Sequence, residues 1–484
     1  MSVPLLTAVG GPWEAPLVTG LDGAPGGVHV VRRCADLAEL LAAGGAGLAR
    51  AAVVSSDLHG LDREAVARLH GVGVGVVGLA DPGDPGAVER LRALGVDRVL
   101  DAGCDVGEVV DAVLQAVQSP GSGAHRGTGP EAVPPVGVAG AGRAGREGSA
   151  APAGQVGARG AAAVPPRGHG RGVVIAVWGP TGAPGRTTVA VTVAAELAAA
   201  GRSTLLVDAD TYGPSVAQAL ALLEEPGGLA GVVRAALLGS LDLERLARSA
   251  PLVSAGLRVL TGLPHPQRWP ELRPSGLDVV WARARELCEV TVVDCGFGLE
   301  TDEELSFDTT APQRNAATLS ALATADLVLA VGSAEPVGLQ RLVRGLNDLA
   351  AVQGPDQARP RVVVTRVRGS AVGPQPHRRV LDALQRYADL DDAALDGVVL
   401  VPDDRPACDE AMLCGRALTE QAPASPARLA LRDLSGRVER DLLPARPGTT
   451  PAAGIRSAGG RGLAPRLARA LSRPARVGAF RSGP

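Results

Sequence analysis

VVIAVWGPTGAPGRTT, residues 173–188, reads as a β-strand running into a glycine-rich turn and then into a helix. Val173, Val174, Ile175, Ala176, Val177 and Trp178 form an unbroken apolar run, the pattern of a parallel strand buried on both faces. Gly179, Gly182 and Gly185 let the backbone turn tightly and come close to a ligand. Thr187 and Thr188 open an Ala/Val-rich helix expected to stop at Gly201. Strand, glycine turn and helix N-terminus together aim backbone N–H groups at one point, and that geometry binds phosphate.

The turn approaches the phosphate-loop spacing G-x-x-x-x-G-K-[ST] and departs from it. The first glycine of that pattern is Pro180 here, with Gly179 one place early, while Gly185 stands in register. Arg186 holds the lysine position and Thr187 that of the magnesium-ligating Ser/Thr. A guanidinium is a bulkier, planar donor than an ammonium. The chain has no lysine at all, its 48 Lys+Arg being arginines, so the exchange at 186 follows a bias of the whole sequence.

Composition narrows the rest. A chain of 484 residues has room for about two or three domains. Hydrophobic residues at 46% and charged residues at 20% fit a soluble globular protein. Aromatics at 2% argue against base-stacking surfaces for single-stranded nucleic acid, and a net charge of −3 gives no overall pull toward nucleic acid or anionic lipid. Cys34, Cys104, Cys288, Cys295, Cys408 and Cys414 form no C-x-x-C pair, so reduced thiols in the cytoplasm are expected rather than a metal site. No signal-peptide pattern opens the chain, and no apolar run of about 18 residues is long enough for a membrane.

Residues 1–118 alternate strand-like runs (5–9, 28–31, 51–55, 74–79 and 98–100) with helical patterns (37–42, 62–69, 87–94 and 106–117). This predicts a small doubly wound α/β domain. The layout resembles a response-regulator receiver domain, with Asp57 where a receiver carries its phosphoacceptor. Yet the first strand ends in Ala8-Val9-Gly10-Gly11, without the acidic pair that would hold magnesium, and the fifth in Asp101-Ala102-Gly103, without the receiver's lysine. Asp57 is therefore read as an ordinary loop aspartate, and the domain as a docking or dimerisation module. Residues 119–171 are rich in Gly, Pro, Ala, Ser and Arg and read as a flexible, disordered tether.

Alternation resumes over 172–441, with strands expected at 203–207, 257–260, 290–293, 327–331, 362–364 and 398–401, and helices including 277–287, 339–349 and 378–387. The expected fold is a mostly parallel, doubly wound sheet with helices on both faces, its ligands at the carboxyl ends of the strands. The glycine turn, Asp208, Asp210 and Asp294 all fall at such ends. After Asp294, Glu300, Asp302, Glu303, Glu304 and Asp308 form an acidic loop, read either as a solvated loop or as a partner-facing switch that responds to the nucleotide. From about 442 the chain is basic: Arg466, Arg469 and Arg473 oppose Leu463, Leu467 and Leu471 at helical spacing. Such a short amphipathic segment suits anionic lipid, DNA phosphates or the acidic loop after Asp294, or remains a disordered basic tail.

Residues 172–420 resemble the MinD/ParA superfamily of deviant-Walker P-loop ATPases, and most of all its CpaE/TadZ-type members, which often carry a receiver-like domain in front. The resemblance rests on TGAPGRTT (181–188), LLVDADTYGPSVAQAL (205–220), VVDCG (292–296), ADLVLAVGSAEPVGLQRL (325–342), VVVTRV (362–367) and VPDD (401–404), in the family's order. It implies a P-loop NTPase domain behind a degenerate receiver-like domain, with ATP and Mg²⁺ as cofactors. Gly182, Gly185, Arg186, Thr187 and Thr188 would hold the phosphates. Thr187 would ligate Mg²⁺, with Asp208 and Asp294 near its water shell. Asp210 and Asp294 would serve catalysis, Asp210 by orienting the attacking water. Thr365 and Pro402 would lie by the base.

The chain departs from the family at three positions. Thr181 stands where the family has a lysine that reaches the partner's phosphates, Ala183 replaces a second glycine, and Thr365 stands where an asparagine usually reads adenine. A missing cation of the arginine-finger kind typically costs about 10³–10⁵ in rate. The expectation is therefore ATP binding with slow or lost hydrolysis, in a nucleotide-dependent homodimer that positions partners at a septum, pole, pilus or secretion assembly. The alternatives are a non-enzymatic pseudo-ATPase scaffold and a chromosome-partitioning ATPase. Localisation would be cytoplasmic, with peripheral contact at the inner face of the membrane through the arginine-rich tail.

Overall fold

Two sheets carry the chain. In the computed structural model the described residues are 2–23, 27–118, 120, 171–222, 228–301, 312–353, 357, 359–388 and 390–444. Nearly all of the expected tether, the basic tail beyond 444 with its leucines and arginines, and Asp302, Glu303, Glu304 and Asp308 lie outside them.

The first sheet joins β1 (Val3–Ala8), β2 (Val28–Arg33), β3 (Ala51–Ser55), β4 (Gly75–Ala80) and β5 (Arg98–Asp101) in the order β2-β1-β3-β4-β5. All four pairings are parallel. This is the doubly wound order that receivers share, and it puts β3 and β4 inside, every residue buried between helical layers. One helix, Glu14–Gly23, goes beyond the sequence reading. Its EAPLVTGLDG composition has a proline and two glycines, a poor helix signal, but Leu17 and Leu21 share one face and enter the domain core.

The second sheet joins β6 (Val173–Trp178), β7 (Thr204–Ala209), β8 (Leu252–Ser254), β9 (Leu257–Leu260), β10 (Val290–Cys295), β11 (Leu327–Ser333), β12 (Arg361–Val367) and β13 (Val399–Pro402). Their order is β13-β12-β11-β6-β10-β7-β9-β8, parallel except for the edge pair β8–β9. The chain winds away from β6 in both directions, so the turn after β6 sits at the topological switch point, where ligands bind in such sheets. Alternation along β6 feeds two core layers: Val174, Ala176 and Trp178 on one face, Ile175 and Val177 on the other.

The helix after the turn, Arg186–Ala199, is buried from Val189 to Ala198. Its one carboxylate there, Glu196, is held by Arg428 (Nε to Oε1 2.6 Å) and by the Thr419 hydroxyl (2.8 Å). The glycine turn therefore opens onto a rigid helix.

The small domain packs on the large one. Its Arg63–Gly71 helix lies against the Pro274–Leu287 and Gly228–Leu237 helices, and Ser275 Oγ donates to Glu64 Oε2 at 3.2 Å. Two strands also run further than their apolar pattern: β7 includes Asp208, and β10 includes Asp294. Parallel pairing continues through both acids, which stand side by side in register on neighbouring strands.

Candidate functional site

The turn reverses direction through two glycines of positive φ, Gly182 (+69°) and Gly185 (+93°). Side chains are strained in that region, which explains why glycine serves at both. Gly185 is the N-cap of the Arg186–Ala199 helix, and no side chain caps that end. The first-turn N–H groups are thus left to face an anion, with the positive end of the helix behind them.

Six polar side chains converge on this mouth. Thr187 Oγ1 donates to Asp294 Oδ2 at 2.6 Å and lies 3.0 Å from Ser215 Oγ. With its single proton committed to Asp294, Thr187 accepts from Ser215. Asp208 Oδ2 accepts from the backbone N–H groups of Ser215 (2.9 Å) and Val216 (3.0 Å), and its Oδ1 from that of Asp210 (3.2 Å). Asp210 Oδ1 accepts from the N–H groups of Tyr212 and Gly213 at 2.8 and 3.1 Å. Arg186 closes the ring, donating to Asp210 Oδ2 and to the Gly179 carbonyl, each at 3.1 Å.

Asp208 and Asp294 are each 1% exposed and neighbours in register. Burial pushes Asp208 up to about 6 and, with the Asp208 charge beside it, Asp294 up to about 8. Asp294 Oδ1 is buried and has no hydrogen-bond partner. An orphaned carboxylate oxygen in such a place calls for a proton or a cation. The donor set of one hydroxyl and buried carboxylates, all oxygen, fits magnesium, a hard ion that keeps several waters and takes phosphate oxygens. Among the described residues no three His, Cys, Asp or Glu side chains gather into a metal cage. A magnesium ion here would therefore draw much of its shell from a bound phosphate and water.

The other expected site residues are placed less directly. Thr188 lies half-buried in the first helical turn. Thr365, 6% exposed, donates its hydroxyl to the carbonyls of Pro184 (2.9 Å) and Gly332 (3.0 Å), bracing the turn against β11 and β12. Its proton is occupied, so reading a base would fall to other groups. Pro402 ends the edge strand β13, opposite Val367 and three strands from β6.

Sequence reasoning passed over Ser215 and Arg341. Ser215 was legible as the polar residue just after Gly213-Pro214 and before a helical turn. Arg341 gave no signal, because only the fold brings its helix over the glycine turn.

In the small domain Asp57 is exposed at the end of β3. A Cβ at Gly10 would come within 3.2 Å of Asp57 Oδ2, so glycine stands where a receiver's acid would face it.

Residues 175–404 match the CbiA family, the CobQ/CobB/MinD/ParA nucleotide binding domain. This stretch belongs to the MinD/ParA superfamily. No curated protein matches the chain. Among solved structures the chain is similar to the cell-division ATPase MinD of Pyrococcus furiosus (19% identity over 56% of this chain and 99% of that one, TM-score 0.43). It is also similar to a ParA family ATPase of Chlorobium tepidum (17%, 54% and 98%, TM-score 0.45). A third is the septum site-determining protein MinD of Pyrococcus horikoshii, solved with Mg-ADP (18%, 55% and 96%, TM-score 0.42). Among the described residues of the MinD/ParA domain and its neighbour, no helix is long and apolar enough to cross a membrane.

Proposed function

We propose that the MinD/ParA domain binds ATP with Mg²⁺ and hydrolyses it slowly, using the bound state to dimerise and position partners at a septum, pole or secretion assembly, as a CpaE-like protein. One observation carries the reading: the Thr187 hydroxyl, Asp208, Asp210 and the orphaned oxygen of Asp294 all meet at the mouth of a capless glycine turn. Backbone N–H groups of Gly182, of Gly185 and of residues 186–188 would take the phosphates. Thr187 would reach the magnesium, which on binding would neutralise the Asp294 and Asp208 charges and screen the phosphates. Asp210 would orient a water once Arg186 released it.

A second reading, an inert scaffold of the same fold, is favoured by the Arg186–Asp210 ion pair (3.1 Å), which occupies both groups and crosses the mouth. Rate and affinity separate the two. Equilibrium binding of ATP to the full chain, with phosphate release measured on the same sample, should show Mg²⁺-dependent binding and turnover far below about 1 s⁻¹, under the ordinary range for phosphoryl-transfer enzymes. Brisk turnover sinks the slow-enzyme part, and absence of binding leaves the scaffold.

A further inference from the structure

A second cation stands at the glycine turn, and it comes from another element. Arg341 lies on the exposed side of the Pro336–Val352 helix, which follows β11, the strand next to β6. Its guanidinium lies over Gly182, where a Cβ would collide with Nη1. The missing side chain at 182 thus makes room for this arginine as well as permitting the positive φ. Nη1 donates to the Thr181 carbonyl across a long 3.4 Å, and among the described residues no carboxylate pairs with it. Arg186 differs, being tied to Asp210 and to the Gly179 carbonyl. Of the two guanidiniums at the mouth, one is committed within the protein and the other keeps most of its donors free.

Position decides what the free one would meet. The helix N-terminus at 186–188 lies beside Thr187 and Asp294. Thr181 and Gly182 follow Gly179, whose carbonyl shares the Arg186 guanidinium with Asp210, the acid read above as orienting the attacking water, so a guanidinium above them faces the end of the anion where that water would attack. We propose that Arg341 binds the terminal phosphate of the nucleoside triphosphate and so makes the site distinguish tri- from diphosphate. This role rests on the ATP reading above. The guanidinium supplies a charge-assisted, forked contact to an outer phosphate that a diphosphate does not present.

The test is a pair of competition titrations, ATP and ADP each displacing a fluorescent ADP analogue from the full chain with Mg²⁺, in wild type, Arg341→Ala and Arg341→Lys. Melting temperatures of the three show whether the fold is kept, and an exposed arginine should leave them alike. Arg341→Ala should weaken ATP about tenfold and ADP by less than about threefold, as loss of one exposed charge-assisted contact implies. Arg341→Lys should restore part of the preference, since it keeps the charge and loses the fork. An unchanged ATP-to-ADP ratio in Arg341→Ala, or an equal fall for both nucleotides, overturns the role of Arg341 and leaves the ATP reading standing. A wild-type chain that binds neither nucleotide overturns both.

Discussion

The chain holds two doubly wound sheets, and they use their strand ends in opposite ways. In the small domain the ends of β1 and β3 carry Gly10 and an exposed Asp57. In the large domain the ends of β7 and β10 carry Asp208 and Asp294, each 1% exposed and side by side. The architecture is shared and the chemistry is not. A water-facing aspartate is content alone, whereas two adjacent buried ones need a proton, a hydrogen bond or a cation. The fold supplies the place in both sheets, but only the buried, incompletely satisfied acids point to a ligand.

The largest expected effect comes from the turns. Gly185→Val forces a β-branched side chain into φ +93° and against Thr365 Cγ2, 3.3 Å from the added Cβ. Urea melts should show a loss of about 2–3 kcal/mol, together with loss of nucleotide binding. Gly10→Ala, at φ −96° with the flexible Asp57 carboxylate as its nearest neighbour, should cost less than about 1 kcal/mol. Equal costs would erase the contrast between the two turns.

Next come the acids themselves. Asp294→Asn removes a buried carboxyl that folding forces to keep its proton, and with it an orphaned oxygen. At pH 7.5 and without ligand it should stabilise the chain by about 1 kcal/mol while abolishing the Mg²⁺ dependence of ATP binding. Asp57→Asn should change stability by less than about 0.5 kcal/mol and leave nucleotide affinity alone. A destabilising Asp294→Asn would mean that the carboxyl is satisfied without a ligand.

The pH dependence follows in sign from the same group. Asp294 sits above its ordinary value of 3.8, at about 8 in the folded chain. The folded state therefore holds that proton to higher pH than the unfolded state does. Its contribution is present in full below about pH 4 and is lost as the pH rises toward 8. The melting temperature of the ligand-free chain should fall across that window, less so in Asp294→Asn, and an equally steep fall in the variant would assign it elsewhere. Smallest of all, Ser275→Ala removes a 3.2 Å hydrogen bond to Glu64 at the join of the two domains. It should cost about 0.5–1 kcal/mol with nucleotide affinity unchanged.

How far the sequence could be read follows the same divide. The apolar run of β6 matched the structure residue for residue, because a strand buried on both faces leaves an unbroken signal. β7 and β10 were read short, because an apolar pattern stops at the first acid while backbone pairing does not. Asp208, Asp210, Asp294 and Thr187 were legible as strand-end and helix-start residues. Their mutual hydrogen bonds, the Arg186–Asp210 pair and the orphaned oxygen were not, since they depend on distances set by strand register. Edge strand β8 was missed because LVS is too short to show a period. Arg341 was hidden for a different reason: 160 residues separate it from the Thr181 carbonyl it touches.

The central claim is that the buried acids and Thr187 surround a magnesium-borne phosphate group at the 182–188 turn. Calorimetric titration of ATP into the full chain, with and without Mg²⁺, in wild type and Thr187→Ala, tests it most directly. The account predicts saturable binding by the wild type that Mg²⁺ strengthens, with that strengthening gone in Thr187→Ala. Absence of heat in the wild type, or binding equally strong with and without Mg²⁺, would contradict it.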